Sequence, residues 1–383
     1  MNNFFSNSYV FSEFTHWLDF VVVVFFAAFV VQMIYFIGIF SRFAFYKSNE
    51  KTVSSFEPVS VVICAKNERE NLLHLLPEFL SQDYPTFEIV VVNDNSVDDS
   101  DDVLKAYSFQ YPNLKVVNVP DNDRFYGSKK FALTLGIKGA KYDNLLLTDA
   151  DCKPASNQWL KQMSNYSEHK SIILGYGAYQ KQSGLLNKLI RFETVFTAIQ
   201  YFSFALCKMP YMGVGRNLAY QKEIFFKNRG FSSHQHILSG DDDLFVNEVA
   251  DKYNTQIVVD STAQTISIPK TSFKSWVRQK KRHLSTGKFY KFKHKFLLSL
   301  FPISYLIFIV SLIILLITQT LVIPVLSAIF LRILIQLIIF KKSINKLGEK
   351  DLMGWIPFFE VFFLFFQPIL LISNAVKRNN RWN

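Results

Sequence analysis

The sequence predicts an α/β domain, a parallel sheet covered by helices on both faces, flanked on each side by apolar segments long enough to cross a membrane. Three observations carry this. Between residues 58 and 150, short apolar, β-branched runs alternate with helical spacings, the pattern of strand–helix–strand units. Those runs are continuously apolar rather than alternating, as in strands buried on both faces. Finally, no charged residue occurs from Phe20 to Phe40 or from Phe296 to Leu331, and a membrane-spanning helix needs about 20 apolar residues.

In chain order, the first apolar run reads as a retained anchor. No Lys or Arg precedes it and no small-residue cleavage site follows it, so it lacks the marks of a removable signal. Glu13 and Asp19 lie before it, and Arg42, Lys47 and Lys51 after it. The positive-inside tendency then places residue 50 onward in the cytoplasm. Residues 1–41 form this anchor and the polar stretch 42–57 a linker to the α/β domain at 58–290.

Val59–Cys64 is the first strand. Arg69–Leu80 has helical spacing at Leu72, Leu73, Leu76, Phe79 and Leu80, with Pro77 expected to end or kink it. Glu88–Val92 is a second strand, followed by the turn-rich NDNSVDDS. Val103–Tyr107 reads as helix, Leu114–Val119 as strand, Lys129–Lys138 as helix and Asn144–Thr148 as strand. Residues 291–383 are the C-terminal membrane region. Phe296–Ile317 and Leu321–Phe340 read as two spans joined by a tight turn, returning the chain to Lys341, Lys342 and Lys346. Leu352–Val376 contains Pro357, Glu360 and Pro368 and is left open between a third span and an interfacial segment; a third span would put Lys377, Arg378 and Arg381 on the side the charge rule disfavours. Arg332 lies mid-span, where a charge is costly and faces a protein interior or a ligand. Glu360 and the phosphate of a lipid-linked acceptor are its two candidate partners.

The net charge is +11, and the excess is local: Lys270–Lys295 holds ten Lys or Arg and no acid. Because this run directly precedes a membrane segment, anionic lipid headgroups fit it better than nucleic acid, and no nucleic-acid partner is expected. The three cysteines, Cys64, Cys152 and Cys207, form no CxxC pair, which gives neither a zinc site nor a disulfide framework.

Three polar clusters fall at the carboxyl ends of the predicted strands: AKNE (65–68), NDNS (93–96) and TDAD (148–151). Ligands of parallel sheets bind beyond those ends. Asp149 and Asp151, two residues apart at a strand exit, suit Mg²⁺ or Mn²⁺, which take oxygen ligands and bridge to substrate phosphates. Asp241–Asp243 offers carboxylates for proton transfer, or the acidic start of a helix. His234 and His236 read as part of a mobile loop closing over substrate, and Gly213 and Gly215 are too few for a phosphate loop.

These motifs resemble those of membrane-bound, family 2 inverting glycosyltransferases with the GT-A fold, a Rossmann-like sheet. CAKNERENL resembles the family's opening strand and loop, VVNDNSVDDS its second motif and TDADCKP its DxD element. GVGRNLAYQKEIF (213–225) resembles the acceptor-side segment, LSGDDDLF (238–245) the base motif and WVRQKKRHLSTG (276–287) the QxxRW element. The resemblance covers residues 56–290 and the flanking membrane segments.

It implies that Ala65, Asn67 and Glu68 line the nucleotide pocket, that Asp94 contacts the uracil and ribose region, and that Lys130 lies near the diphosphate. Asp149 and Asp151 would hold the nucleotide sugar and its Mg²⁺ or Mn²⁺. An aspartate of the acidic run would take the acceptor proton: the spelling favours Asp242, while counting back from Leu244 favours Asp241. Gln279 and Arg282 would face the diphosphate or acceptor. Two departures stand out: Asn93 replaces an aspartate, and His283 replaces the usual Trp, which argues for a single transfer. The implied function is transfer of one sugar from a nucleotide sugar, with a UDP-sugar expected, to a lipid or membrane-proximal glycan acceptor. A processive polysaccharide synthase and an inactive membrane-anchored binding protein of the same fold are the rivals.

Overall fold

The structure, a computed structural model, describes residues 17–47, 56–120, 129–167, 169–237 and 239–376. Half of the expected linker, residues 48–55, lies outside these residues, as do Glu13, Lys51, Lys377, Arg378 and Arg381.

Ten strands follow in order: β1 (Val59–Ala65), β2 (Phe87–Asn93), β3 (Leu114–Asn118), β4 (Asn144–Asp149), β5 (Cys152–Pro154), β6 (Ile172–Leu174), β7 (Gly177–Tyr179), β8 (Leu218–Gln221), β9 (Thr255–Ile257) and β10 (Thr265–Ser267). Seven form one sheet in the order β3-β2-β1-β4-β8-β6-β9, and β5-β10-β7 form a small second sheet. The register sets Ala65 beside Asn93 and Cys64 beside Asp149. The three polar clusters therefore emerge at one edge, as the strand ends predict. Successive residues of β1 and β2 serve opposite cores: Val62, Val90 and Val92 pack on one face, and Val61, Ile63, Ile89 and Val91 on the other.

The sheet is parallel over β3-β2-β1-β4 and again between β6 and β9; β8 runs antiparallel to both β4 and β6. The four strands read from the sequence are parallel as expected, and the strands added after residue 150 make the sheet as a whole mixed. A parallel crossover needs about a dozen residues, usually as a helix. After β4 the next helix, Trp159–Met163, has only five residues. Pro77 also departs from expectation, because the helix Arg69–Leu80 runs through it. Proline leaves the carbonyl four residues back without a donor. That carbonyl belongs to Leu73, and the Tyr107 hydroxyl donates to it at 3.0 Å.

Four helices among the described residues are long and apolar enough to cross a membrane: Trp17–Ala44, Phe292–Ile317, Val322–Leu347 and Lys350–Asn374. The last covers the segment left open in the sequence. Arg332 sits inside this helical group and is paired internally. It donates to Glu360 Oε1 at 2.5 Å, Gln32 Oε1 at 3.1 Å and Gln336 Oε1 at 3.0 Å. An intramembrane charge satisfied by side chains of three other helix positions is a structural clasp, so Glu360 is the partner found.

A second clasp joins the sheet domain to the C-terminal helices. The helix Leu185–Leu206, not recognised in the sequence, buries Arg191. Its guanidinium donates to Glu349 Oε2 at 2.9 Å and to Asp351 Oδ2 at 2.8 Å. Arg191 and Glu349 are both 2% exposed. Removing one partner of such a pair costs about 3–5 kcal/mol because a charge stays buried. Arg191→Met should therefore lower the melting temperature of the detergent-solubilised protein strongly, and Glu349→Met added to it should restore most of the loss. A single variant that melts like the wild type would show the cluster to be neutral.

Candidate active site

The polar strand ends open into one cavity of about 2220 Å³. Ala65, Asn67, Glu68, Asp94, Asp149, Asp151, Asp241, Asp242, Gln279 and Arg282 all line it. Ligand pockets for small molecules are about 300–1,000 Å³, so this one exceeds the needs of a single donor. It continues past the QxxRH helix to Pro302, Leu306, Pro368 and Leu371, on helices of membrane-spanning length.

The nucleotide end is rigidly tied. Asn67 has a φ of 55°, a left-handed conformation that Asn tolerates. Its N–H donates to Ser96 Oγ at 3.0 Å, and its Oδ1 accepts from the Val97 N–H at 2.8 Å. The first two strand-end loops are thereby locked together. Asp94 is buried and lies 3.6 Å from Lys66 Nζ; burial raises its pKa and the lysine opposes that rise. Burial also raises the Glu68 carboxyl, which accepts from Asn71 at 2.6 Å. Asn93 does not line the cavity and instead reaches Asn118 on β3 at 3.2 Å.

Asp149, Asp151 and Cys152 bring ligand atoms within 4.8 Å of one another. Burial and then the Asp149 charge raise the Asp151 pKa, a strain that a bound cation relieves. The Cys152 thiol is engaged by Ser267 Oγ at 3.0 Å, which leaves carboxylate oxygens as the natural donors. That set fits Mg²⁺ or Mn²⁺.

The lysines exchange the places expected of them. Lys130 lies outside the cavity lining and donates to the carbonyls of His234 and Ile237 at 2.7 and 2.9 Å. Burial holds its pKa down to about 8. Lys129, its neighbour, lies in the cleft, 2.8 Å from Asp149 Oδ1 and 2.9 Å from Asp241 Oδ2. Helix periodicity explains the exchange, since adjacent residues point about 100° apart. Lys129 shares its face with Ala132, Leu133 and Gly136, the residues turned to the sheet. A Cβ on Gly136 would meet Val92 and Val62 at 2.6 and 2.7 Å, so the helix lies against the strands and carries Lys129 to their ends. The Ala132–Leu133–Gly136 spacing was the available signal for Lys129. Arg216 was also missed. Its guanidinium stacks 4.3 Å from the Tyr179 ring centre and donates to Ser267 Oγ at 3.2 Å, next to the DxD turn. No periodic signal marks it, because it stands in a loop before β8.

The three aspartates of the acidic run differ. For Asp241, burial raises the pKa, but the Lys129 ion pair outweighs it and holds the carboxyl below its usual range. Asp242 caps the helix Asp243–Val249: its Oδ1 accepts from the Asp243 N–H and its Oδ2 from the Gly215 N–H, both at 2.7 Å. Burial, then repulsion from Asp241 and Asp243, pushes it up to about 7. Asp243 accepts from Tyr290 at 2.7 Å and from Thr286, tying the run to the segment before the membrane helix Phe292–Ile317. His234 bonds to Glu248 at 3.2 Å, so together with Lys130 it pins the loop expected to move.

Gln279, Arg282 and His283 share one helix face at i, i+3 and i+4 and line the cavity. Their helix, Phe273–Leu284, is anchored by Trp276, which is fully buried and stacked 5.3 Å from Phe366. His283 is exposed to the cavity, ringed by the cations of its own helix. Desolvation, then Lys280 and Arg282, holds its pKa well below the usual value.

Residues 60–231 match the family profile of glycosyl transferase family 2. That stretch of the chain is thus similar to a family 2 glycosyltransferase domain, on a GT-A-like fold. A poly-β-1,6-N-acetyl-D-glucosamine synthase of Staphylococcus epidermidis is 26% identical over 160 residues, 40% of this chain and 36% of that protein. Glycosyltransferase AglE of Haloferax volcanii is 31% identical over 106 residues, 27% of this chain and 33% of that protein. The chain spans about a third of the length of these curated relatives. In fold it resembles the mannosyltransferase PcManGT of Pyrobaculum calidifontis, solved with GDP-Man and Mn²⁺. That similarity has a TM-score of 0.58 at 15% identity and covers 88% of this chain and 96% of that one.

An unfolded Asp titrates near 3.9, whereas folded Asp242 titrates near 7. Its contribution to stability is therefore full below the lower value and is lost as pH rises through the higher. Asp242→Asn should gain melting temperature relative to wild type between pH 5 and pH 8. A difference that does not change with pH would show that Asp242 ionises normally.

Proposed function

We propose that the protein transfers a single sugar, with inversion, from a nucleotide sugar to an acceptor presented by the membrane, its sheet domain facing the cytoplasm. The observation that carries this is the continuous cavity from Asp149, Asp151 and Asp241 to the helices of membrane-spanning length. Its membrane end is bordered by Arg278, Lys281, Arg282 and Lys295, cations suited to an anionic lipid headgroup such as a lipid-linked phosphate. A donor held at the strand ends and an acceptor lodged between the helices meet at the acidic run. The solved mannosyltransferase of the same fold holds a nucleotide sugar and Mn²⁺, which supports a donor of that class here.

Inversion requires the acceptor oxygen to attack the anomeric carbon from the face opposite the nucleoside diphosphate, while a carboxylate takes its proton. Asp241 is the better-placed base. Asp242, first by spelling, spends both oxygens on backbone N–H groups, and Asp243 is committed to Tyr290 and Thr286. Asp241 faces the donor carboxylate across one lysine. The positive charge that a leaving diphosphate needs is at hand in Lys129, Arg216 and Arg282. Asp149 and Asp151 would hold Mg²⁺ or Mn²⁺, which supplies further neutralisation of the diphosphate. His283 in place of an aromatic platform favours release after one transfer.

The purified protein in lipid nanodiscs, supplied with a panel of radiolabelled nucleotide sugars and with either polyprenyl phosphate or oligosaccharide acceptors, should label the lipid phosphate with one sugar. Label in polymer instead would favour the processive reading, and nucleotide binding without turnover the inactive one. In the active assay, Asp241→Asn should lower kcat by about 10²–10⁴-fold, the usual worth of a general base, and spare donor binding. Asp242→Asn should cost far less. Asp151→Ala should abolish turnover and weaken nucleotide binding in Mn²⁺; full activity in chelator would remove the metal role.

A further inference from the structure

Lys129 sits where two functions meet. One of its partners, Asp149, belongs to the carboxylates that suit a divalent cation; the other, Asp241, is the proposed base. The lysine side chain is 19% exposed, so these contacts are shielded and are screened less than surface ion pairs. Burial alone would strip the amine of its proton, yet the two carboxylates keep it charged. A lone pair of Asp149 directed at an ammonium is not available to a metal ion, and a dication at the same carboxylate repels the ammonium.

The backbone carrying Lys129 has no room to retreat, because Gly136 is already in tight contact with the sheet. The lysine stem is flexible, with four rotatable carbons, so the side chain is the part that moves. Lys130 offers no substitute, since two loop carbonyls hold it outside the cleft.

We propose that Lys129 is a built-in counter-ion that closes the donor-free site, bridging Asp149 and Asp241, and that it leaves Asp149 when a divalent cation arrives. Arrival of the donor with its cation thereby breaks the bridge between Asp149 and Asp241, which couples donor occupancy to the pairing of the proposed base. The role is one of positioning, and it rests on reading Asp149 and Asp151 as cation ligands and Asp241 as the base.

Two measurements on the full-length protein in detergent test this, with Mn²⁺ alone as the probe and no sugar donor. The first is acylation of lysine amines followed by mass spectrometry, at Mn²⁺ concentrations that saturate binding. Labelling of Lys129 should rise several-fold on adding Mn²⁺, while Lys130 stays unchanged as the internal reference. The second is Mn²⁺ affinity from the electron paramagnetic resonance signal of free Mn²⁺. Lys129→Met should bind Mn²⁺ several-fold more tightly than wild type, and Lys129→Arg, which keeps the bridge, should stay near wild type. Unchanged labelling of Lys129 with Mn²⁺ bound overturns the inference, as does a folded methionine variant with unchanged or weaker affinity. Should that variant not fold, the labelling of the wild type decides. If Mn²⁺ does not bind the wild type, the inference stands only if the methionine variant binds it. Neither readout needs transfer, so an inactive protein with both responses intact would sink the proposed function and leave this inference standing.

Discussion

Everything in the sheet domain's cleft depends on holding several carboxylates close together in one partly buried space. Asp94, Asp149, Asp151, Asp241, Asp242 and Asp243 all line one cavity. Isolated buried anions cost several kcal/mol each unless paired or hydrogen-bonded. Each is answered differently. Lys66 faces Asp94, Lys129 serves both Asp149 and Asp241, Arg216 stands beside the DxD turn, and backbone and hydroxyl donors serve Asp242 and Asp243. The elements delivering those cations are fixed by packing. Gly136 lets one helix press on the sheet, and the small sheet β5-β10-β7 holds the ring on which Arg216 stacks.

The same reasoning extends to the apolar half. Away from the helix ends, buried charges there form clasps, Arg332 with Glu360 and Arg191 with Glu349 and Asp351. Both join helices distant in sequence, and both leave the cavity wall between them free to be largely apolar, with Phe301, Phe340 and Phe363 along it. The cavity thus changes character along its length, from carboxylates at the strand ends, through Arg and Lys at the QxxRH helix, to aromatic and aliphatic side chains. A ligand with a sugar-accepting head, an anionic neck and an apolar tail is complementary to that order.

Much of this was legible in the sequence because it rests on short-range pattern. β1 to β4 were readable from continuous apolar runs, and the clustering of their ends follows once they are parallel. Three of the four long apolar helices likewise follow from length and the absence of charge, whereas Leu352–Val376, with its two prolines and Glu360, stays open on sequence alone. What escaped was tertiary. β5 to β10 are mostly three-residue strands stabilised by their neighbours, too short for periodicity. The helix Leu185–Leu206 is buried on many faces, so it lacks the clean stripe of an amphipathic helix. Pro77 read as a break because the hydroxyl replacing its lost hydrogen bond lies 34 residues away. Two adjacent lysines at a helix start are told apart only by the Ala132–Leu133–Gly136 spacing that lays the helix on the sheet, and missing it reversed the expected places of Lys129 and Lys130.

The acidic run shows the same limit at its sharpest, in three identical residues. Asp241 precedes the helix and points toward Lys129; Asp242 is the cap, bent back on Gly215 and Asp243; Asp243 is the first helical residue and turns inward to Tyr290. Because backbone direction changes at a helix start, consecutive side chains there diverge, and one spelling yields a cleft carboxylate, a cap and an anchor. Counting along the motif therefore could not separate the three carboxylates, whereas their partners do. The anchor matters to the whole, since Asp243 fastens the base-bearing turn to the segment leading into Phe292–Ile317. The base and the membrane-side wall of the cavity are thereby held in one frame, as they must be if a proton is to be taken from an acceptor that arrives between the helices.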